Sequence, residues 1–296
     1  MPKILYEDKN FTQKTLAVIH QAEGIIQEYQ AQGFSLTLRQ VYYQFVARGF
    51  ISNTDRDYKR LGNIISDARR AGIIDWDAIE DRTRYLRSVS SWDSPQSILG
   101  AAKESYHRDL WESQDVRFEV WIEKDALVGV IQGVCEDLDV PYFSCRGYVS
   151  DSEMWQAGMR VHKHNRHGQR VVMLHLGDHD PSGIDMTRDI KSRIELFSAY
   201  GDFEMKRIAL TMEQIEDQSP PPNPAKITDS RFAGYEAKYG DESWELDALE
   251  PSFIVELIEE SVFALRDDDL YEQATNEQEK GRVKIGKVID QWDKLF

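Results

Sequence analysis

The sequence predicts an α/β protein, with a helical amino-terminal domain that carries a short hairpin, followed by a domain built on a parallel sheet. Three observations lead there. Apolar residues recur at helical spacing through three successive segments ending at Gly72. Between Val116 and Gly177, apolar runs of strand length alternate with helical patterns, as βαβ units require. The last of these runs opens into Gly177-Asp-His-Asp-Pro-Ser-Gly183, at the strand end where open α/β sheets keep their ligands.

The amino-terminal elements follow from local signals. Phe11 to Gln32 places Leu16, Ile19, Ile25 and Ile26 on one face of a helix that ends near Gly33. Thr37-Leu-Arg-Gln40 has the form of a capping box and starts a second helix, closed by Gly49. A third runs from Thr54 to Gly72 and carries Arg56, Lys59, Arg60, Arg69 and Arg70. Ile73 to Arg84 alternates as a hairpin or wing would, so residues 1–90 read as a winged helix-turn-helix domain. Two readings of its basic helix stand: contact with DNA, or a solvated face.

The second helix holds the sharpest clue. Leu38, Val41, Tyr42, Phe45 and Val46 form its buried stripe, whereas Tyr43 sits about 100° round from Tyr42, with Arg39 one turn before it. A guanidinium beside a phenol favours the phenolate and can hold a phosphate oxygen, both of which a tyrosine nucleophile needs. A plain amphipathic surface tyrosine is the other reading.

Residues 91–114 read as a connector, with the boundary in Ser88-Val-Ser-Ser-Trp-Asp-Ser-Pro95, and 115–296 as the second domain with an acidic carboxyl-terminal extension. Val116 to Glu123, Val140 to Cys145 and Val171 to Gly177 are its strands; Ala126 to Leu138 and Ser152 to His164 are helices between them. In a parallel sheet, Glu123, Arg146, Asp178 and Asp180 then fall at one edge. Carboxylates at that edge suit Mg²⁺, which takes one or two of them together with water and phosphate oxygens.

Bulk properties narrow the setting. The 296 residues are 41% hydrophobic and 30% charged, enough for packed domains. No apolar run approaches the roughly 18 residues of a membrane span, and there is no signal-peptide core, so the expectation is a cytoplasmic protein with no membrane partner. Cys135 and Cys145 lack the spacing of a disulfide framework or a zinc site. The net charge of −16 opposes a uniformly basic nucleic-acid binder. From Arg39 to Arg87, however, ten Lys/Arg face seven Asp/Glu, against six and sixteen from Asp241 to Phe296, so the acidity belongs to the carboxyl-terminal part.

Glu123-Lys124 after a strand, Arg146-Gly147-Tyr148, and Asp178-x-Asp180-Pro-x-Gly183 together resemble the Toprim domain, a Rossmann-like parallel sheet. Combined with Thr37-Leu-Arg-Gln-Val-Tyr-Tyr43 in a preceding winged helix, the chain resembles the A subunit of topoisomerase VI and its meiotic double-strand-break relatives over residues 30 to 195. The resemblance implies that Tyr43 attacks double-stranded DNA and becomes linked to a 5′-phosphate, with a free 3′-hydroxyl left behind. It implies Mg²⁺ on Glu123, Asp178 and Asp180, Glu123 also moving a proton, and Arg39 and Arg146 clamping phosphate. It further implies a homodimer in which one protomer's tyrosine meets its partner's metal, and a separate GHKL-type ATPase B subunit for strand passage. The chain is shorter than the usual A subunit and is similar to compact phage- or plasmid-type members. Two alternatives stay open: a Toprim nuclease that uses water as nucleophile, and a non-catalytic DNA-binding module.

Several patterns are set aside. Gly281-Arg-Val-Lys-Ile-Gly-Lys287 has P-loop spacing, but Val288 stands where Ser or Thr should be and no strand precedes it. His162, His164 and His167 read as a solvated helix end, and His175 and His179 as packing beside the acidic loop. Trp244 to Leu249 reads as a strand that puts Glu245 and Asp247 on one face, with two readings, an exposed face first and an approach to the metal edge second, and Pro251 to Arg266 as a helix.

Overall fold

The structure, a computed structural model, describes residues 3–79 and 89–292. The first three helices form where their caps lie: α1 (Gln13–Ala31) behind Thr12, α2 (Leu38–Ala47) behind Thr37, and α3 (Asp55–Arg70) behind Thr54. At α2 the capping box is complete, since Thr37 Oγ1 accepts from Gln40 N while Gln40 Oε1 accepts from Thr37 N at 2.8 Å. Such a cap stabilises a helix start by about 1 kcal/mol. The helices bury Ile19, Ile25, Val41, Phe45, Leu61 and Ile65 in one core.

The wing expected over Ile73 to Arg84 is not seen in its described part. Asp75 accepts a hydrogen bond from Asp77 N and winds Trp76–Ala78 into a 3₁₀ turn, while Ile74, Ala78 and Ile79 sink into the helical core. Residues 80–84 lie outside the described residues. Trp76 is held by Arg69, whose guanidinium lies 4.6 Å from the ring centroid and donates to the Trp76 carbonyl.

After α4 (Pro95–Ser105), the second part is a four-stranded parallel sheet: β1 (Val116–Ile122), β2 (Tyr142–Ser144), β3 (Arg170–Leu176) and β4 (Phe203–Ala209), in the order β2-β1-β3-β4. Alternation along β1 and β3 feeds two cores. Phe118, Val120, Leu174 and Leu176 pack on one face with α5 (Val128–Asp137), while Trp121, Val171 and Met173 pack on the other with α6 (Asp151–Arg166) and α7 (Pro181–Phe197). Because β2 and β3 leave β1 in opposite directions, their crossovers lie on opposite faces and open a crevice at the carboxyl ends of β1 and β3.

Beyond the sheet come α8 (Met212–Gln218), the two-residue pair β5 (Asn223–Pro224) and β6 (Glu242–Ser243) flanking α9 (Phe232–Tyr239), then α10 (Pro251–Phe263) and α11 (Asp268–Asp290). Trp244 to Leu249 is not the strand expected. Trp244 exchanges both backbone hydrogen bonds with His179, and Leu246–Ala248 then turn as a 3₁₀ helix because Leu246 N is taken by the Asp178 carboxylate at 2.8 Å. The P-loop spacing at 281–287 lies inside α11, where no phosphate-cradling loop exists. Among the described residues no helix is long and apolar enough to cross a membrane.

Candidate active site

The acidic loop after β3 is fixed from three sides. Glu123, one residue past β1, turns its Oε2 to accept the Asp178 amide at 2.8 Å. Asp180 caps α7, accepting from Gly183 N at 2.6 Å and from the Ser182 hydroxyl at 3.1 Å. From the neighbouring strand β4, Arg207 donates to the carbonyls of Gly177 (2.8 Å), Asp178 (2.6 Å) and Gly183 (3.0 Å). The turn is so close that a Cβ at Gly183 would overlap the Asp178 carbonyl, and one at Gly177 would stand 3.0 Å from Glu123 Oε2. Glycine at 183 is a steric requirement of the loop, because the atom in the way is backbone, whereas at 177 the neighbours are side-chain ends.

The carboxylates crowd one another. Burial first, and then the charge of Asp178, push the Glu123 carboxyl well above the usual range; burial also raises Asp178, against the pull of Lys124. Oxygen donors that repel each other in a buried crevice suit a hard divalent cation. As placed, however, no three acidic, imidazole or thiol groups among the described residues stand close enough to hold a metal ion. Glu123 and Asp180 point at backbone amides, and coordination requires them to turn from those donors.

The phenol meets this edge within one chain. Lys124 Nζ lies 3.0 Å from Asp178 Oδ1, 2.6 Å from Glu245 Oε2 and 3.5 Å from Asp247 Oδ2. Arg39 of α2 reaches the same two acids, Glu245 at 2.8 Å and Asp247 at 3.1 Å. Tyr43 lies beside that guanidinium, whose carbon stands 5.9 Å from the Tyr43 ring centroid, and the Glu245 charge acts on its hydroxyl. A cavity of about 210 Å³ opens on Tyr43, Arg39, Glu245, Tyr42, Asn53 and Asn223. The resemblance implies a tyrosine facing a partner's metal; here Tyr43, two cations and the acidic loop are linked inside one subunit.

The electrostatics of the phenol also differ from the expectation. Tyr43 is only 4% exposed, and burial, followed by the charge of Glu245, drives its pKa far above the normal phenol value despite the opposing pull of Arg39. The guanidinium's charge is shared with two carboxylates, so it does not yield a phenolate in this state. Burial also works to raise Glu245, but Lys124 and then Arg39 outweigh it and hold its carboxyl down to about 2.

The other residues singled out by sequence fall in distinct places. Tyr42 is core, its hydroxyl donating to Asn53 Oδ1 at 2.9 Å. Arg56, Lys59 and Arg60 are exposed on α3. Arg69 is engaged with Trp76, and Arg70 lies 3.8 Å from Glu7. Arg146 reaches the carboxyl edge in a left-handed conformation (φ 51°), paired with Asp125 at 2.9 Å. His175 is buried and donates to or accepts from Thr187 Oγ1 at 2.9 Å, with burial holding it neutral; His179 packs among Tyr235, Tyr239 and Trp244. His162 and His167 are exposed. A second cavity, of about 240 Å³ along the β2 side, is lined by Arg117 and Arg160, whose charges are already met by Asp109 and Glu119.

Sequence reading missed Arg207 altogether, and for Glu245 and Asp247 it put an exposed strand face ahead of the approach to the acidic edge that the structure shows. An arginine next to the apolar Ile208-Ala-Leu210 at a strand's carboxyl end is a signal for the former. No protein-family model, curated protein or solved structure matches this chain.

Proposed function

We propose that this chain cleaves double-stranded DNA by transesterification with Tyr43 as nucleophile, the chemistry that the resemblance to topoisomerase VI A subunits implies, with the phenol and the acidic edge supplied by one subunit. The observation that carries the reading is the chain of ion pairs from Arg39, which lies over the Tyr43 ring, through Glu245 and Lys124 to Asp178. A nucleophile and the acidic crevice beside it are the two parts such a reaction needs.

In the reaction, Tyr43 Oη attacks phosphorus and its proton passes to solvent. The P–O3′ bond breaks, the 3′-oxygen takes up a proton from water, and the 5′-phosphate stays on the phenol. Mg²⁺ held by Glu123, Asp178 and Asp180 would supply positive charge to the phosphate. Arg39, freed from Glu245 and Asp247, holds a phosphate oxygen and favours the phenolate. The 4% exposure of Tyr43 means that DNA must first displace the Glu245 contact. The exposed Arg56, Lys59 and Arg60, with Arg146 at the carboxyl edge, supply backbone contacts. A homodimer would cut both strands, and strand passage would need a GHKL-type ATPase partner.

A second reading draws on the same burial: a Toprim-type nuclease in which water attacks and Tyr43 is structural. The two are separated by incubating the protein with supercoiled plasmid and Mg²⁺ and denaturing with or without protease. Ends that enter the gel only after proteolysis support transesterification; free ends, or a Tyr43→Phe variant that cuts like wild type, support the nuclease.

A further inference from the structure

Beside the metal set that resemblance implies, and sharing Asp178 with it, three carboxylates converge on one ammonium. Lys124 Nζ is ringed by Asp178, Glu245 and Asp247 at 2.6 to 3.5 Å, and its side chain is 17% exposed. Arg39 adds a second positive charge at Glu245 and Asp247 from the α2 side. Three carboxylates against two cations leave an excess of negative charge in a largely dry place.

Asp247 gives an independent sign of unused donor capacity. Its side chain is fully buried, Oδ2 faces Lys124 and Arg39, and Oδ1 has no hydrogen-bond partner among the described residues. A buried carboxylate oxygen without a donor is costly, and an ion or water at its side would relieve that cost. Asp178 belongs both to this ring and to the residues that would hold Mg²⁺, and Lys124 joins it to Glu245, the carboxylate whose charge acts on Tyr43. Two-cation phosphoryl sites put their charges about 3.5–4 Å apart, around a shared carboxylate or phosphate oxygen.

We propose that Asp178, Glu245 and Asp247 form a latent second site for a hard divalent cation, which the Lys124 ammonium fills in the native chain. Resting on the DNA-cleavage reading, this makes the centre a one-metal, one-lysine site. The lysine presents its charge to the phosphate oxygen nearest the phenol. An ammonium keeps carboxylate oxygens at the observed 2.6 to 3.5 Å, whereas Mg²⁺ draws them to about 2.1 Å. The ring therefore contracts when the lysine is replaced by an ion.

The test is the number of Mn²⁺ ions bound per full-length chain, counted by electron paramagnetic resonance of the free ion without DNA. The proposal expects one ion for wild type and for Lys124→Arg, two for Lys124→Ala, and one again for Lys124→Ala with Asp247→Asn. Thermal melting of each variant in Mn²⁺ shows that the counts come from folded protein. One ion in folded Lys124→Ala, or two in wild type, overturns the proposal. No ion in wild type removes the metal reading beneath it as well. If Lys124→Ala does not fold, Lys124→Met carries the same expectation of two ions and the same refutation at one.

Discussion

The two halves of the candidate site are built differently. The acidic loop is fixed by backbone: Arg207 grips three of its carbonyls, Asp178 N is bound by Glu123, and Gly183 leaves no room for a side chain. The tyrosine half reaches it through side chains, chiefly Arg39 on Glu245 and Asp247, with Gln44 on Glu250 at 3.1 Å. Backbone hydrogen bonds in a closed turn yield only on local unfolding, whereas Arg39, whose side chain is about half exposed, can leave Glu245 and Asp247 while Lys124 keeps both acids paired. The contrast marks the loop as the fixed half and α2 as the half that the proposed DNA substrate would displace.

The largest expected effect comes from the nucleophile. Tyr43→Phe removes the attacking oxygen while keeping the ring packed, so protein-linked cleavage should fall at least ~10³-fold with the melting temperature nearly unchanged. A variant that stays within tenfold of wild type makes Tyr43 a packing residue and dissolves the distinction between the halves.

Next come changes to the fixed half. Gly183→Ala drives a methyl into the Asp178 carbonyl, and Arg207→Gln strips donors from buried carbonyls; each should cost about 2–4 kcal/mol in urea unfolding. If either is neutral, the loop is not held as described.

The displaceable half should respond to pH. Glu245 has its folded-state pKa lowered from 4.5 to about 2, so its contribution is complete above pH 4.5 and fades as the pH falls toward 2. Glu245→Gln should therefore destabilise the protein by about 1–3 kcal/mol at pH 7 and by progressively less below pH 4.5. A difference that stays constant from pH 7 to pH 3 would show that the carboxylate's charge does not hold α2 in place.

How much of this was legible follows the same division. The start of α2 was readable because a cap is written within four residues, as in Thr37-Leu-Arg-Gln40. Strands β1 and β3 were readable because both their faces are buried, leaving near-continuous apolar runs. Glu123, Asp178 and Asp180 follow from those strand ends. By contrast, β4 was overlooked because Glu204 and Lys206 face solvent on an edge strand, which hid the half-buried Arg207 beside them. The roles of Glu245 and Asp247 come from Arg39, about two hundred residues away, and from Lys124; no local pattern records such pairings. The expected wing failed in its described part on a local competitor, the Asp75 side chain, which caps a 3₁₀ turn within an otherwise alternating run.

The claim that one subunit carries both the phenol and the acidic edge is tested most directly by mixing two inactive chains, Tyr43→Phe and Asp178→Asn. They are refolded together, and protein-linked cleavage of supercoiled plasmid is scored against wild type. Assembly within one chain predicts that the mixture stays as inactive as either variant alone. Recovery of cleavage in the mixture would place the tyrosine of one subunit on the metal edge of another and contradict the account, as would a wild-type protein that leaves the plasmid uncut.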